Sequence, residues 1–253
     1  MNEYSFEGRT ALITGSAQGI GEALARAFAA CRAGVVLADL NESKASLVAD
    51  DLRRSGFNAM ALKVDVTNFQ DVQGLIQRTL TALKSIDIVV NAAGGFARAV
   101  LAEEITDDEW HKIVNLNLTG TFNTCKAVIP HMKTARRGRI VNISSEAGRM
   151  PVVLTAAHYA AAKAGVLGLT RHLARELGPF GITVNAVAPG TTRTQRVAEL
   201  HDPEKISRIE QLTPLGRIAD VDDQVRPILF LASEGARYIT GATLDVNGGR
   251  LML

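Results

Sequence analysis

Seven short apolar runs alternate with helical patterns from Thr10 to Val246, and that alternation limits the fold more than any other feature of the chain. The runs are Thr10–Thr14, Val35–Ala38 ending at Asp39, Ala59–Val64, Ile86–Val90, Arg139–Ile143, Ile182–Val187 and Thr243–Val246. Five of them are almost unbroken in apolar residues, as in strands covered on both faces; a strand with one wet face alternates instead. Between them, helical patterns run from Gly21 to about Cys31, over Glu42–Arg54 and Phe69–Leu83, and over most of Thr106–Met132. A further helix ends near Leu177, where Gly178-Pro179 reads as a stop signal. Thr106-Asp107-Asp108-Glu109 has the form of a capping box. Arg226-Pro227 in the last helical pattern predicts a kink. The alternation predicts a single α/β domain over residues 1–253, with a seven-stranded parallel sheet and helices on both faces.

The rhythm fails from about residue 190 to 215, where only Val197–Leu200 and Glu204–Leu212 look weakly helical. A long connection after a strand end, where ligands bind in such sheets, predicts a substrate lid. It carries Arg193, Arg196 and Arg208, and the loop after the fourth strand carries Arg98. Solvated surface charge accounts for these more readily than a substrate anion does.

A formal charge of +2 argues neither for nor against nucleic acid, but no Lys/Arg block forms a phosphate-tracking stripe, so no nucleic-acid partner is expected. The densest basic run, Arg136-Arg137-Gly138-Arg139, reads as a solvated turn. No apolar run reaches the ~20 residues of a membrane span, and residues 1–8 lack the pattern of a signal peptide, so a cytoplasmic protein is expected. Cys31 and Cys125 read as buried hydrophobes. His111, His131, His158, His172 and His201 have no metal-ligand spacing, so no metal is expected; His158 suits a structural position better than a wall of the site.

Two ends of a binding site can be picked out. Gly15-Ser16-Ala17-Gln18-Gly19-Ile20-Gly21 joins the first strand to the first helix. Glycines there let the backbone approach a pyrophosphate, and the helix start offers free N–H groups and a positive dipole. Asp39, at the end of the second strand, could accept hydrogen bonds from a ribose 2′-OH and would repel a 2′-phosphate; capping the following turn is its other use. With Leu40 and Asn41 after it and Gln18 in the loop, the chain favours NAD over NADP. Asp65 ends the third strand and could meet an adenine edge. At the other end, Tyr159 and Lys163 are four residues apart in an alanine-rich helix, hence on one face. A cation beside the phenol should pull its pKa toward neutrality, and Ser145 upstream offers a hydroxyl for a carbonyl oxygen. Alone, such a pair is common on surface helices.

Taken together, Gly15–Gly21, Asp39, Ser145, Tyr159 and Lys163 resemble the short-chain dehydrogenase/reductase family, and the resemblance runs from Thr10 to Gly249. Asn91-Ala92-Ala93-Gly94 is similar to the family's Asn-Asn-Ala-Gly motif, with Ala92 in place of the second asparagine. Asn117-Leu118-Thr119-Gly120 resembles the segment with the fourth catalytic residue, and Pro189-Gly190 with Thr192 and Thr194 resembles the nicotinamide-carboxamide segment. Pro214-Leu215-Gly216-Arg217, Ile239-Thr240-Gly241 and Asn247-Gly248-Gly249 are similar to the C-terminal pattern.

The resemblance implies a Rossmann-type doubly wound fold and hydride transfer between nicotinamide and a carbinol or carbonyl carbon. It implies Tyr159 as acid/base, Ser145 as the group orienting the substrate oxygen, and Lys163 as the ligand of the nicotinamide ribose and the group lowering the tyrosine pKa. Asn117 would hold a relay water. Gly15, Ser16, Gln18, Gly19, Ile20, Gly21, Asp39, Leu40, Asp65, Val66, Asn91, Ala92, Ala93, Gly94, Tyr159, Lys163, Pro189, Gly190, Thr192 and Thr194 would line the cofactor site, and the protein would be a homotetramer. An NAD-dependent dehydrogenase for a small secondary alcohol and its ketone is expected, with Phe96, Val152, Val153 and Leu154 lining a modest apolar pocket. The alternatives are a 3-oxoacyl-thioester (acyl carrier protein) reductase using NADPH and a non-catalytic nucleotide sensor on the same fold; possession of both Tyr159 and Lys163 argues against the sensor.

Overall fold

The computed structural model describes residues 4–96, 99–152, 155–200 and 202–252. Its strands are β1 (Thr10–Thr14), β2 (Gly34–Asp39), β3 (Ala59–Lys63), β4 (Ile88–Asn91), β5 (Gly138–Ile143), β6 (Ile182–Pro189) and β7 (Thr243–Val246). They form one sheet in the order β3-β2-β1-β4-β5-β6-β7, with every neighbouring pair parallel. The chain winds outward from β1 in one direction and from β4 in the other, so a crevice opens where β1 and β4 end side by side.

Both faces are covered, which is why the strands are apolar at consecutive positions. Ile13, Val35, Leu37 and Val90 pack under helices α1 (Gly19–Ala30), α2 (Glu42–Arg54) and α9 (Val221–Ala232), against Leu24, Phe28, Val48 and Ile228. Their neighbours Leu12, Val36, Val89 and Ile140 point the other way, onto α3 (Phe69–Leu83), α5 (Gly120–Ala135) and α6 (Ala157–Leu177). Each fully buried aliphatic side chain contributes roughly 1.5–3 kcal/mol. A one-residue slip of any strand would leave this two-sided pattern apolar but break its packing.

Helix starts follow the residues at their caps. The Asn41 side chain accepts from the Lys44 N–H, and that of Asn68 from Gln70 and Asp71. Thr106 and Glu109 complete the expected capping box of α4 (Asp107–Val114). Between α4 and α5 the chain makes a π-turn over Asn115–Thr119, an interruption that helical periodicity did not predict. The last helix runs unbroken through Pro227, so the proline does not divide it. Gly178 at the end of α6 keeps right-handed geometry; the left-handed residue is Gly181 (φ 72°), after a short turn at Gly178–Phe180. The helix ends at Leu177 as the stop signal predicts, although the left-handed glycine comes three residues beyond the cap.

The run at 136–139 is also not a free turn. Arg137 lies 2.8 Å from the buried Asp87, Arg139 lies 3.4 Å from Glu234, and Arg136 donates to the Pro179 carbonyl. These pairs tie the N-terminal ends of the central strands together, at the edge opposite the crevice. Beyond β6 the lid forms two helices, α7 (Gln195–Leu200) and α8 (Pro203–Gln211), the latter capped by Asp202. No described helix is long and apolar enough to cross a membrane.

Candidate active site

A cleft of about 890 Å³ runs along the C-terminal ends of β1–β6 and under α7. At one end the glycine loop wraps over the start of α1. Gly15 (φ 67°) lies so close to β4 that a Cβ there would stand 2.6 Å from the Ala93 α-carbon, and Gly19 (φ 60°) also needs left-handed freedom. Gln18 precedes α1 without a side-chain cap, so the first amides of the helix keep their hydrogen-bonding capacity beside a positive dipole. That geometry fits a pyrophosphate. Gln18, Gly19, Ile20, Gly21, Asp39, Leu40, Asp65 and Val66 all line this end.

Asp39 does two things already. Its Oδ2 accepts from the Ala17 N–H and its Oδ1 from the Asn41 N–H, both at 2.9 Å, so it braces the glycine loop and caps its own turn. A carboxylate has about four lone-pair sites, which leaves room for ribose hydroxyls. Lys44 and Lys63 also line the wall here, and sequence reasoning missed both. Lys63 pairs with Asp39 across the sheet, a neighbour visible only once β2 and β3 are in register.

At the other end Ser145, Tyr159 and Lys163 converge on the cleft. Ser145 follows β5; the next turn, Glu146–Gly148, sits on α6 so tightly that a Cβ on Gly148 would be 2.6 Å from the Lys163 backbone. Ser144, on the same loop, turns away and donates to the Lys163 carbonyl at 2.8 Å. Lys163 is buried, donates from Nζ to the Ile143 carbonyl at 2.8 Å, and lies 5.7 Å from the centre of the Tyr159 ring. Phe96 packs on that ring at 5.1 Å, and Val152 adds to the same apolar wall; Val153 and Leu154 lie outside the described residues, as do Arg98 and His201.

Electrostatics at this end differ from the sequence expectation. Burial pushes the Tyr159 phenol up to about 12, opposed by its hydrogen bond with Ser145 and the charge of Arg196, while Glu146 adds to the rise. The Lys163 ammonium faces the Ile143 carbonyl, and burial holds Lys163 itself down to about 8. In this structure the phenol is a held proton donor.

Asn117 sits in the π-turn, fully buried. Its Nδ2 donates to the Gly95 and Ile113 carbonyls and its Oδ1 accepts from the Gly95 N–H, all at 2.9 Å. The side chain is thus occupied in clamping Gly95. Three expected site residues are placed differently from expectation or share a second role. Ser16 is buried with its hydroxyl toward the Ala38 carbonyl, and Asn91 lies inside the sheet, donating to Asn142 at 2.8 Å; neither lines the cleft. Thr192 lines it but also accepts from Gln224 and packs by the bridge to Ala219. Ala92, Ala93, Gly94, Pro189, Gly190 and Thr194 lie on the wall as expected. His158 is buried and accepts from the Tyr159 N–H through Nδ1, a structural placement.

Long-range contacts that no local pattern signals hold the Glu146–Gly148 turn from behind. Glu146 pairs with Arg250 at 2.6 Å, and Arg149 with Asp245 at 3.1 Å. The same tail meets the cleft wall at Gly190, whose N–H donates to the Val246 carbonyl, and the base of the lid, where the Leu215 N–H donates to Gly248. Among the described residues no cluster of three or more His, Cys, Asp or Glu could hold a metal.

Comparison with known proteins agrees with this architecture. The family model described as enoyl-(acyl carrier protein) reductase matches residues 15–250. The 3-oxoacyl-[acyl-carrier-protein] reductase FabG of Pseudomonas aeruginosa is 41% identical over 248 residues, covering 98% of this chain and 99% of that protein. Among solved structures, gox2181 superposes with a TM-score of 0.96 at 37% identity, covering 99% of this chain and 98% of that one. A 3-oxoacyl-[acyl-carrier protein] reductase with bound NAD from Brucella melitensis gives 0.92 at 39% identity, covering 98% and 93%. With a matching family model over nearly its full length and relatives near 40% identity, the chain belongs to the short-chain dehydrogenase/reductase family and is an NAD(P)-dependent oxidoreductase acting between CH–OH and keto groups.

Proposed function

We propose that this protein interconverts a 3-oxoacyl thioester and its 3-hydroxyacyl counterpart, with NADH and NAD+ as the preferred nucleotide pair. The observation that carries the chemistry is the convergence of the buried Tyr159 and Lys163 with the Ser145 hydroxyl at the inner end of a nucleotide-sized cleft. The similarity to 3-oxoacyl-[acyl-carrier-protein] reductases supports the thioester class ahead of the broader alcohol–ketone expectation.

The nicotinamide, when bound, supplies or takes the hydride at its C4. Tyr159 donates its phenolic proton to the carbonyl oxygen as charge develops there, and Ser145 holds that oxygen by a second hydrogen bond. Lys163 would bind the nicotinamide ribose and carry a replacement proton toward the phenol, and Thr194 with Pro189-Gly190 would hold the carboxamide. Asn117 keeps Gly94-Gly95 in place over Lys163, and a relay water there would meet the backbone of the π-turn, since the Asn117 amide is already engaged. The glycine loop would hold the pyrophosphate, and Asp39 the adenosine ribose. The preference for NADH rests on that carboxylate, against which Lys44 and Lys63 are the only cleft-lining cations at this end among the described residues.

The test is reduction of acetoacetyl N-acetylcysteamine thioester against a panel of simple ketones, with NADH and with NADPH, following absorbance of the reduced cofactor. The thioester should turn over, faster with NADH. Tyr159→Phe should lower turnover by about 10²–10⁴-fold while NADH binding persists. Turnover that survives Y159F would overturn the mechanism, and faster turnover with NADPH would overturn the role given to Asp39 and turn attention to Lys44 and Lys63.

A further inference from the structure

The lid arginines are not alike. Arg193 lies 3.4 Å from Asp220 and 3.7 Å from Glu210, and Arg208 does not reach the cleft. Arg196 lines the cleft, and the described residues provide it with no carboxylate partner; its one hydrogen bond runs from Nη1 to the Gly94 carbonyl at 3.0 Å. The guanidinium rests against Gly95, where a Cβ would collide with Nη1, so glycine is required for the side chain to seat there. Asn117 clamps both the N–H and the C=O of Gly95, which makes that seat rigid.

We propose that Arg196 recognises a carboxylate at the substrate end of the cleft, so that the natural 3-oxoacyl substrate carries a free carboxylate on its acyl chain. The thioester part of this statement rests on the function proposed above; the carboxylate part rests on Arg196 alone. A guanidinium has five N–H donors in a planar fork matched to a carboxylate, and one bond to Gly94 fixes its orientation while leaving the rest of the fork for a ligand. Its charge reaches the reacting centre, since it is one of the groups opposing the rise of the Tyr159 pKa. Arg196 is exposed and shares the lining of the cleft with the apolar Phe96 and Val152, so an incoming anion can reach it from solvent. The acidic group nearest the catalytic serine, Glu146, is paired with Arg250 and leaves Arg196 uncompensated.

The experiment compares kcat/KM for the 3-oxoadipyl and 3-oxohexanoyl N-acetylcysteamine thioesters, which differ in a terminal carboxylate against a methyl group. The native protein should favour the acid at least about tenfold, Arg196→Gln should bring the ratio close to one, and Arg196→Lys should retain part of it. A ratio near one in the native protein, or one that survives R196Q, overturns the proposal. If neither thioester is reduced, the thioester function falls, and malonate titrated against malonamide into the enzyme–NADH complex, read by NADH fluorescence, decides the carboxylate alone. Malonate should bind at least about tenfold more tightly and lose that advantage in R196Q. Equal binding of the two, or an advantage that R196Q keeps, overturns it.

Discussion

Tyr159 is where residue identity and environment pull in different directions. The one-turn spacing to Lys163 reads directly from sequence, and the structure brings both side chains to the cleft. Spacing cannot show which way an ammonium points, and burial of the phenol outweighs the groups that would lower its pKa. A pH dependence follows. Reduction uses the protonated phenol, and a group pushed up to about 12 stays protonated through the working range, so reduction should be level until Lys163, held down to about 8, loses its proton and the rate falls. Oxidation uses the phenolate, and should climb by about tenfold per pH unit as that minor form grows. Rate–pH profiles in both directions check this; a reduction rate that rises with pH would contradict it. Ser16 and Asn91 show the limit of motif transfer at this scale. Both stand in matching stretches, but Ser16 turns toward the Ala38 carbonyl and Asn91 bonds across the sheet to Asn142, partners fixed by strand register.

Among elements, those written in local chemistry were legible. β1, α2, α3 and β7 have the boundaries that their apolar runs and helical periodicity predict. The π-turn at Asn115–Thr119 was not, because nothing in a helical period specifies an i→i+5 bond, here from Gly120 to the Asn115 carbonyl; the need to close Asn117 onto Gly95 belongs to tertiary structure. Glycines separate into two kinds on the same grounds. Gly15→Ala meets both a left-handed φ and the Ala93 backbone, and should weaken NADH binding by more than about tenfold while destabilising the fold by roughly 1–3 kcal/mol. Gly74, exposed within α3 with nothing near its Cβ direction, should stabilise the protein by roughly 0.4–1 kcal/mol when changed to Ala. Thermal melting with NADH fluorescence titration distinguishes the two, and a Gly15→Ala protein with native affinity would show that the loop need not approach β4 so closely.

Over the whole molecule, the alternation of strand and helix was enough to predict a parallel sheet with two covered faces, since unbroken apolar strands have no other soluble arrangement. The brace behind the catalytic turn was invisible, because Glu146 and Arg250 are 104 residues apart and each looks like ordinary surface charge. Removing one member should be costly. Burial raises the Glu146 pKa and Arg250 opposes that rise, so Arg250→Met leaves a buried carboxylate that must either stay charged alone or take a proton. With its folded pKa above the unfolded value, the uncompensated glutamate binds a proton more readily when folded, and the penalty shrinks as pH falls. R250M should lose roughly 3–5 kcal/mol at alkaline pH and less in acid, and Glu146→Gln in the same chain should restore much of it. Urea unfolding at two pH values measures both; an equal loss at each would mean that Arg250 acts through packing.

The position of that brace along the chain has a consequence for the order in which the protein can be made. The glycine loop and Asp39 lie before residue 70, and Ser145, Tyr159 and Lys163 emerge in the middle of synthesis, but the groups that hold the Ser145 turn, Gly190 and Leu215 lie at 245–250. The nucleotide half waits as well, because α9, at Val221–Ala232, supplies Ile228 to the core over α1. Both halves gain their full support only when the last stretches to be translated dock, so the two ends of the cleft mature together, near the end of synthesis.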